Sequence, residues 1–367
     1  MTIGVDGNEA NVEKPVGVSV YTLEMLSYFA RHSCEKIRFV VYLRAKPLPH
    51  MPLESEYFKY AYVPGKAFWR DIFFPMYLFL HRDINVLFSP AHYTPRFCPV
   101  PTVVTIHDLG YVFYPQDFLK KDLYKLEMWT KHAVSHSKKI IAVSQHTKND
   151  IHKHYNIPLS TIECIYNGYT KPKNTLSHAS LQKYGVEDKK YFLYASTLQP
   201  RKNVTSLIEA FAQFNQNATV YKLILVGKKG WMYHEMIQRV QDLNLKHSIT
   251  FTGYIPDADL SLLYKHATAY VFPALYEGFG MTILEAMHHH CPVIASSSGA
   301  LPEIAGEACL YFEPHDTIKL QKSMTRLAQS DVLRKELIAK GLKQVQKFSW
   351  DKSASKTLRV LQESAQI

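Results

Sequence analysis

Cysteine is scarce in this chain of 367 residues: there are five, at positions 34, 98, 164, 291 and 309, with no CxxC pair among them. An odd, scattered set argues against a disulfide framework and predicts reduced, buried thiols in a cytosolic protein. No run of about twenty apolar residues occurs, which excludes a membrane-spanning helix. The opening residues, Met1 to Gly7, lack a basic region followed by a long apolar one, so export is not expected. The dinucleotide fingerprint GxGxxG is also missing, and with it the main signal for a nicotinamide enzyme.

What is present suits two α/β domains. The length exceeds one typical core, and hydrophobic residues make up 47% of the chain. The formal net charge is +11, and it is unevenly spread. Between Lys120 and Lys153 eight lysines face Asp122, Glu127 and Asp150, a net +5 with Tyr124 and Trp129 interleaved. Such a segment reads as a solvated helix face or as a surface for anionic membrane, and nucleic acid is set aside. The stretch Phe68 to Leu80 is strongly apolar but carries charges and a proline. It is too short to span a bilayer, so the expectation is a core helix, with a membrane-resting face as the alternative.

The most informative stretch runs from Tyr276 to Met287. Ala269 to Pro273 before it reads as a buried strand, and Met281 to His290 has the composition of a helix. Gly278 and Gly280 allow close approach of the backbone to a ligand, and the free N–H groups of the helix start favour a phosphate there. Glu277 lies in the loop, and Glu285 stands five residues past Gly280, about 7.5 Å along a helix rising about 1.5 Å per residue. Two carboxylates at that offset suit the two ends of a nucleoside diphosphate sugar. A glycine loop between strand and helix is also common in α/β proteins, and Glu285 read alone fits a solvated helix residue equally well.

The remaining candidates follow the same logic of strand ends. Ile3 to Asp6 reads as a strand, and Gly17 sits at the junction into a helix from Val18. Further strands are expected at 38–43, 86–89, 101–106, 139–144 and 162–168. His107 ends the clearest of them, where open α/β sheets place ligand contacts, although a lone histidine is more often structural. Residues 171–175 look like a linker. A second sheet opens at Lys190 to Ser196 and runs through Thr197 into Arg201 and Lys202, placed to fork onto a diphosphate unless they form a structural ion pair. Strands at 222–228 and 248–254, the latter ending in Tyr254, continue the alternation of a Rossmann-like domain. Asp257-Ala258-Asp259 spells a metal-binding DxD, but its position after Ile255-Pro256 reads as the capped start of a helix. His288-His289-His290-Cys291 is not expected to bind metal, because consecutive helical residues point apart.

Taken together, these residues resemble the retaining glycosyltransferases of family 4, which have the GT-B fold. Glu277 through Glu285 matches the EX7E motif within LYEGFGMTILEAM. It is joined in register by Gly17-Val18, IHDL at 106–109, AVSQHTKNDI at 142–151, LQPRKNV at 198–204, VGKKGW at 226–231 and FTGYIPD at 251–257. The pattern is most similar to the mannosyltransferase branch that builds O-antigen chains. The resemblance implies an acceptor domain over 1–170, a nucleotide-sugar donor domain over 171–348 and a final segment, 349–367, whose helix crosses back to the first domain. The two Rossmann-like domains would face each other across a cleft, and closure would bring His107 to the Glu277 side.

The resemblance also implies roles. Glu277 would contact the donor sugar and Glu285 the ribose, while the backbone at Gly278, Phe279 and Gly280 would hold sugar and distal phosphate. Arg201 and Lys202 would neutralise the leaving diphosphate, and Gly17 would line its phosphate and acceptor side. Thr197, Met281, Thr282 and Tyr254 complete the donor-binding set. Ser196 replaces the glycine usual before the threonine of the phosphate loop. Two cations and a helix start stabilise the departing charge, so no metal or other cofactor is expected. The implied activity is transfer of a hexose, mannose from GDP-mannose, to a glycan or lipid-linked acceptor in lipopolysaccharide synthesis. The expected location is cytoplasmic, peripheral at the inner face of the membrane. A UDP-sugar transferase and a nucleotide-sugar epimerase of the same fold are the alternatives.

Overall fold

A computed structural model describes residues 1–65, 68–169, 179–230 and 233–366; the expected linker at 171–175 and Trp231 lie outside them. The chain divides into two compact units, Met1–Gly168 together with Ser349–Ile367, and Tyr169–Phe348.

The first unit is built on seven parallel strands: β1 Thr2–Asp6, β2 Arg38–Leu43, β3 Phe58–Tyr62, β4 Val86–Ser89, β5 Thr102–Ile106, β6 Lys139–Ala142 and β7 Ile162–Cys164. Their order is β3-β2-β1-β4-β5-β6-β7. Strands β4 and β5 are buried at every residue, as expected of a parallel sheet covered on both faces. The order reverses between β1 and β4, so the crevice at the carboxyl ends of those strands opens beside Asp6 and Ser89.

The last helix, Trp350–Ala365, belongs to this unit. It buries Trp350, Ala354, Leu358 and Leu361 against the helix Val18–His32 and strands β4 to β6. The chain passes so close beneath it that a Cβ on Gly168 would stand 2.2 Å from the Trp350 nitrogen. Lys138 fastens the far end by donating to the carbonyls of Ser364 and Gln366 at 3.1 and 2.8 Å.

The second unit holds six parallel strands: β8 Tyr191–Ala195, β9 Lys222–Val226, β10 Ile249–Gly253, β11 Ala269–Phe272, β12 Val293–Ser296 and β13 Cys309–Phe312. Their order is β10-β9-β8-β11-β12-β13, with the reversal between β8 and β11.

Several expectations need correction. Residues 68–80 are not simply a core helix: a π-helical turn, Trp69–Phe73, leads into the helix Phe74–Leu80. Trp69, Phe74 and Leu78 fill the core, whereas Ile72, Met76, Phe79 and Leu80 stay exposed. The basic segment is not one helix face either, because it spans the helix Lys120–His136, strand β6 and the helix Gln145–Tyr155. The five cysteines are free thiols, but not all are buried: Cys34 is exposed, and Cys98 and Cys164 are partly so. Asp257 and Asp259 occupy the first turn of the helix Asp257–His266 without making a side-chain cap. Asp259 instead accepts from Lys183 and from the Tyr184 hydroxyl at 2.9 and 2.6 Å.

Candidate active site

The switch point of the second sheet gathers two loops that lie 75 residues apart in sequence. After β8 the chain makes a short turn, Pro200–Lys202, and enters the helix Val204–Asn215 through Asn203 in the left-handed region, φ 55°. The Asn203 amide donates to the carbonyls of Pro273 and Pro314 at 3.1 and 2.6 Å, which fixes this turn against the loop after β11. In return the Leu275 N–H donates to the Arg201 carbonyl at 2.9 Å.

The loop after β11 is held from its other side as well. Ser296 donates to the Ala274 carbonyl at 2.5 Å, the Ser298 hydroxyl donates to that of Leu275, and the Ala300 N–H reaches the Glu277 carbonyl at 2.9 Å. Gly299 makes this grip possible. It has φ +61°, and a Cβ there would lie 2.4 Å from the Glu277 carbonyl oxygen. Gly280, at φ +92°, then opens the helix Met281–His288, whose start carries no side-chain cap.

These two loops bring three charged groups together. The ammonium of Lys202, a buried residue, donates directly to the Glu277 carboxylate and lies 5.1 Å over the Phe272 ring. Arg201 stands 3.7 Å from the same carboxylate and donates to the Tyr276 carbonyl at 2.7 Å. Two cations against one carboxylate leave a surplus positive charge beside the positive end of a helix, which is the electrostatics of an anion site. Both basic residues are thus engaged by Glu277, so the ion-pair reading and the anion-site reading describe the same cluster.

Glu285 lies on the helix that follows, facing Tyr264 and Asp257. Burial first, and then the Asp257 charge, push its carboxyl up to about 7. Thr282 accepts from the Tyr270 hydroxyl at 2.8 Å, and Met281 is half-buried beside it. Phe279 turns its ring into the core against Phe348, 5.7 Å edge to face, so only its backbone can meet a ligand. On the other edge, Thr197 is exposed while its carbonyl accepts from the Tyr194 hydroxyl at 3.1 Å. Tyr254, also exposed, lies under the Lys228 ammonium at 5.9 Å. The Ser196 carbonyl runs against Gly227, where a Cβ would meet it at 1.9 Å, so the glycine that this tight loop requires stands across from Ser196.

His107 and Gly17 belong to the first unit. His107 engages the Pro90 carbonyl through Nε2 at 2.8 Å, meets the Tyr21 ring edge to face at 4.9 Å and has His92 nearby at 5.7 Å. Donation from Nε2 leaves Nδ1 as an acceptor, and burial, reinforced by His92, lowers the ring's pKa to about 4. Gly17 precedes the helix Val18–His32 at φ +53°, and its exposed α-carbon has nothing within 4 Å of where a Cβ would stand.

Some neighbours carry no signal in the sequence. Arg70, inside the apolar stretch, stacks 3.5 Å over the Tyr93 ring and pairs with Asp6 and Glu9 at 3.6 and 3.4 Å. Asp257 and Tyr264 reach Glu285 only through the fold. Among the described residues no cluster of three metal-ligating side chains occurs. The His288 and His289 rings stand at 71° to each other, with His289 stacked on Tyr264.

Comparison with known proteins bears on both units. Residues 15–170 match the family described as Glycosyltransferase Family 4, and residues 178–344 match Glycosyl transferases group 1. O-antigen chain mannosyltransferase B of Escherichia coli is 32% identical over 261 residues, which are 70% of this chain and 68% of that one. O-antigen chain mannosyltransferase RfbU of Salmonella typhimurium is 31% identical over 62% of this chain and 60% of its own length. Among solved structures, the sucrose-phosphate synthase of Thermosynechococcus elongatus has a TM-score of 0.77 at 20% identity, covering 99% of this chain and 98% of that one. The Anabaena protein Alr3699/HepE, solved with UDP and glucose, has a TM-score of 0.73 at 19% identity, covering 98% and 99%.

Proposed function

Since the chain belongs to the family 4 glycosyltransferases, we propose that it transfers mannose from GDP-mannose, with retention, to a glycan or lipid-linked saccharide in lipopolysaccharide synthesis. The observation that carries this reading is the cluster of Arg201, Lys202 and Glu277 beside the helix start at Gly280. The relatives named as O-antigen mannosyltransferases support the choice of sugar and product.

In this reading the arriving diphosphate competes with Glu277 for the two cations. Lys202 and Arg201 turn to the phosphates, and Glu277 is released to accept from donor sugar hydroxyls. As the anomeric bond breaks, charge grows on the distal phosphate, where the cations and the helix start hold it without metal. The backbone of Gly278, Phe279 and Gly280 and the side chains of Thr197, Met281 and Thr282 line the diphosphate and sugar. Glu285 accepts from the ribose hydroxyls, and Tyr254 borders the base. His107 and Gly17 serve the sugar and acceptor side. A lipid-linked acceptor would bring the chain to the inner face of the cytoplasmic membrane.

A UDP-sugar donor is the second reading, favoured by the likeness to a protein solved with UDP and glucose. A thermal-shift panel of GDP, UDP and ADP with their common sugar forms, run without added metal, separates the two. Stabilisation by GDP and GDP-mannose supports mannose transfer, a response to UDP compounds overturns the donor, and silence to every nucleotide overturns the site.

A further inference from the structure

The switch point of the first sheet holds a cluster that the donor chemistry does not use. Asp6 ends β1, Glu9 lies in the loop after it, and His92 and Tyr93 lie in the loop after β4. Arg70 ties the two loops together. Its guanidinium covers one face of the Tyr93 ring at 3.5 Å and pairs with Asp6 and Glu9 at 3.6 and 3.4 Å. The Tyr93 hydroxyl donates to Oε1 of Glu9 at 2.5 Å, and the Tyr93 ring meets that of Trp129 edge to face at 5.6 Å.

This cluster has polar capacity to spare. Among the described residues, Ser89 Oγ at the end of β4, Nδ1 of His92 and Nε of Arg70 are buried and make no hydrogen bond. The hydrogen bonds to Glu9 both fall on Oε1, so its Oε2 accepts from none of the described residues. Buried polar groups are ordinarily satisfied, and open α/β sheets take their ligands at the carboxyl ends of the strands where the order reverses. Glu9 keeps 28% of its side chain exposed and Trp129 is half-buried, so a ligand entering from solvent can reach both.

Charge decides the class of ligand. One buried cation, Arg70, stands between the carboxylates of Asp6 and Glu9, the reverse of the balance at Arg201, Lys202 and Glu277. A surplus negative charge repels a phosphate or a carboxylate. A cation is opposed in turn by Arg44, a neighbour of Arg70, and by Lys125, 5.9 Å from the Trp129 ring, both exposed at the rim. What remains is a set of acceptors for hydroxyl groups beside an aromatic ring for an apolar C–H face, which suits an uncharged sugar. We propose that this crevice binds the terminal residue of the acceptor as an uncharged saccharide, with Glu9 Oε2 accepting from its hydroxyls and Trp129 packing on its ring. Glu9 and Trp129 are then specificity-determining residues. The proposal rests on the transferase reading for the existence of an acceptor, and not on which nucleotide sugar is the donor.

Titration of the full chain, with and without GDP, tests it. The probes are neutral trisaccharides ending in mannose, galactose or N-acetylglucosamine, each also as its terminal 6-phosphate. The parent should bind at least one neutral probe about 10-fold or more tighter than its phosphate. Glu9→Gln keeps an acceptor for the Tyr93 hydroxyl but removes the repelling charge and the spare acceptor. It should weaken the neutral probe about 10-fold and narrow its lead over the phosphate. Trp129→Leu should weaken the neutral probe as well. Both variants should melt as the parent does and, in transfer assays, raise the acceptor KM while leaving the donor KM unchanged. A merely structural defect would weaken both kinds of probe and would not change the preference between them. A parent that binds no neutral probe, a parent that binds the phosphates as tightly, or a preference that Glu9→Gln leaves unchanged would each overturn the proposal. Neutral probes bound as expected by a chain that no nucleotide stabilises would instead overturn the transferase reading.

Discussion

At Lys202 one ammonium serves two anions in turn, the Glu277 carboxylate in the free chain and the diphosphate in the proposed complex. Lys202→Ala removes the charge that would stabilise the leaving group, and a preorganised contact of this kind is worth about 10²–10³ in kcat. Single-turnover transfer from GDP-mannose should fall by that factor with the fold retained by circular dichroism; undiminished turnover would remove Lys202 from the chemistry. Glu285 makes a pH-dependent prediction. Its folded carboxyl is raised from 4.5 to about 7, so the native state binds more protons than the unfolded one in that window, and stability falls as pH rises through it. Glu285→Gln should stabilise the free protein at pH 8, by up to about 3 kcal/mol, and flatten the dependence. The same substitution should weaken GDP binding, since the amide loses one of the two acceptors offered to the ribose. His107 acts in the opposite sense: its pKa is lowered to about 4, so the first unit loses stability as pH falls from about 6.5 to 4. Differential unfolding of the two units between pH 4 and pH 8 measures both slopes.

Among the elements, Gly299 shows how one residue shapes a loop it does not belong to. A Cβ there would strike the Glu277 backbone at 2.4 Å, in a left-handed conformation that disfavours any side chain. Gly299→Ala should therefore cost about 1–3 kcal/mol and shift Glu277 away from Lys202, read as a lowered melting temperature and lost donor binding. The sequence around it, Ser296-Ser297-Ser298-Gly299, marks a turn but not its partner. The same limit explains what could be read in advance. Strands such as β5, Thr-Val-Val-Thr-Ile, are apolar runs bounded by turn signals and stand out. Strand β3, an edge with exposed Lys59 and Tyr62, has no such run. The glycine loop and its helix could be read from local order along the chain. That Arg201 and Lys202 close on Glu277 depends on loops meeting at the switch of strand order, and that burial, with Asp257, raises Glu285 depends on two helices meeting; local sequence encodes neither. Residues 68–80 were ambiguous for another reason: apolar residues on every side of a short helix do not say which face the sheet will cover.

For the whole molecule, the division of the chain matters most at its end, because the first unit is completed by residues that follow the second. The sheet of Met1–Gly168 lacks one covering helix until Trp350–Ala365 arrives. Leu361 and Ala354 are fully buried in that helix, and Trp350 fills the space over Gly168. Truncating one such large side chain leaves a cavity worth about 3–5 kcal/mol, a sizeable share of what holds a domain of this size together. Trp350→Ala should therefore lower the unfolding free energy of the first unit by that amount, read as a lower urea midpoint. The second unit, Tyr169–Phe348, keeps its own sheet and the Arg201, Lys202 and Glu277 cluster, so its unfolding and its stabilisation by GDP should remain those of the parent. Two resolved transitions, one moved and one fixed, are the expected result. A single transition that shifts as a whole would mean that the two units unfold together, and stability assigned to either would then have to be assigned to both.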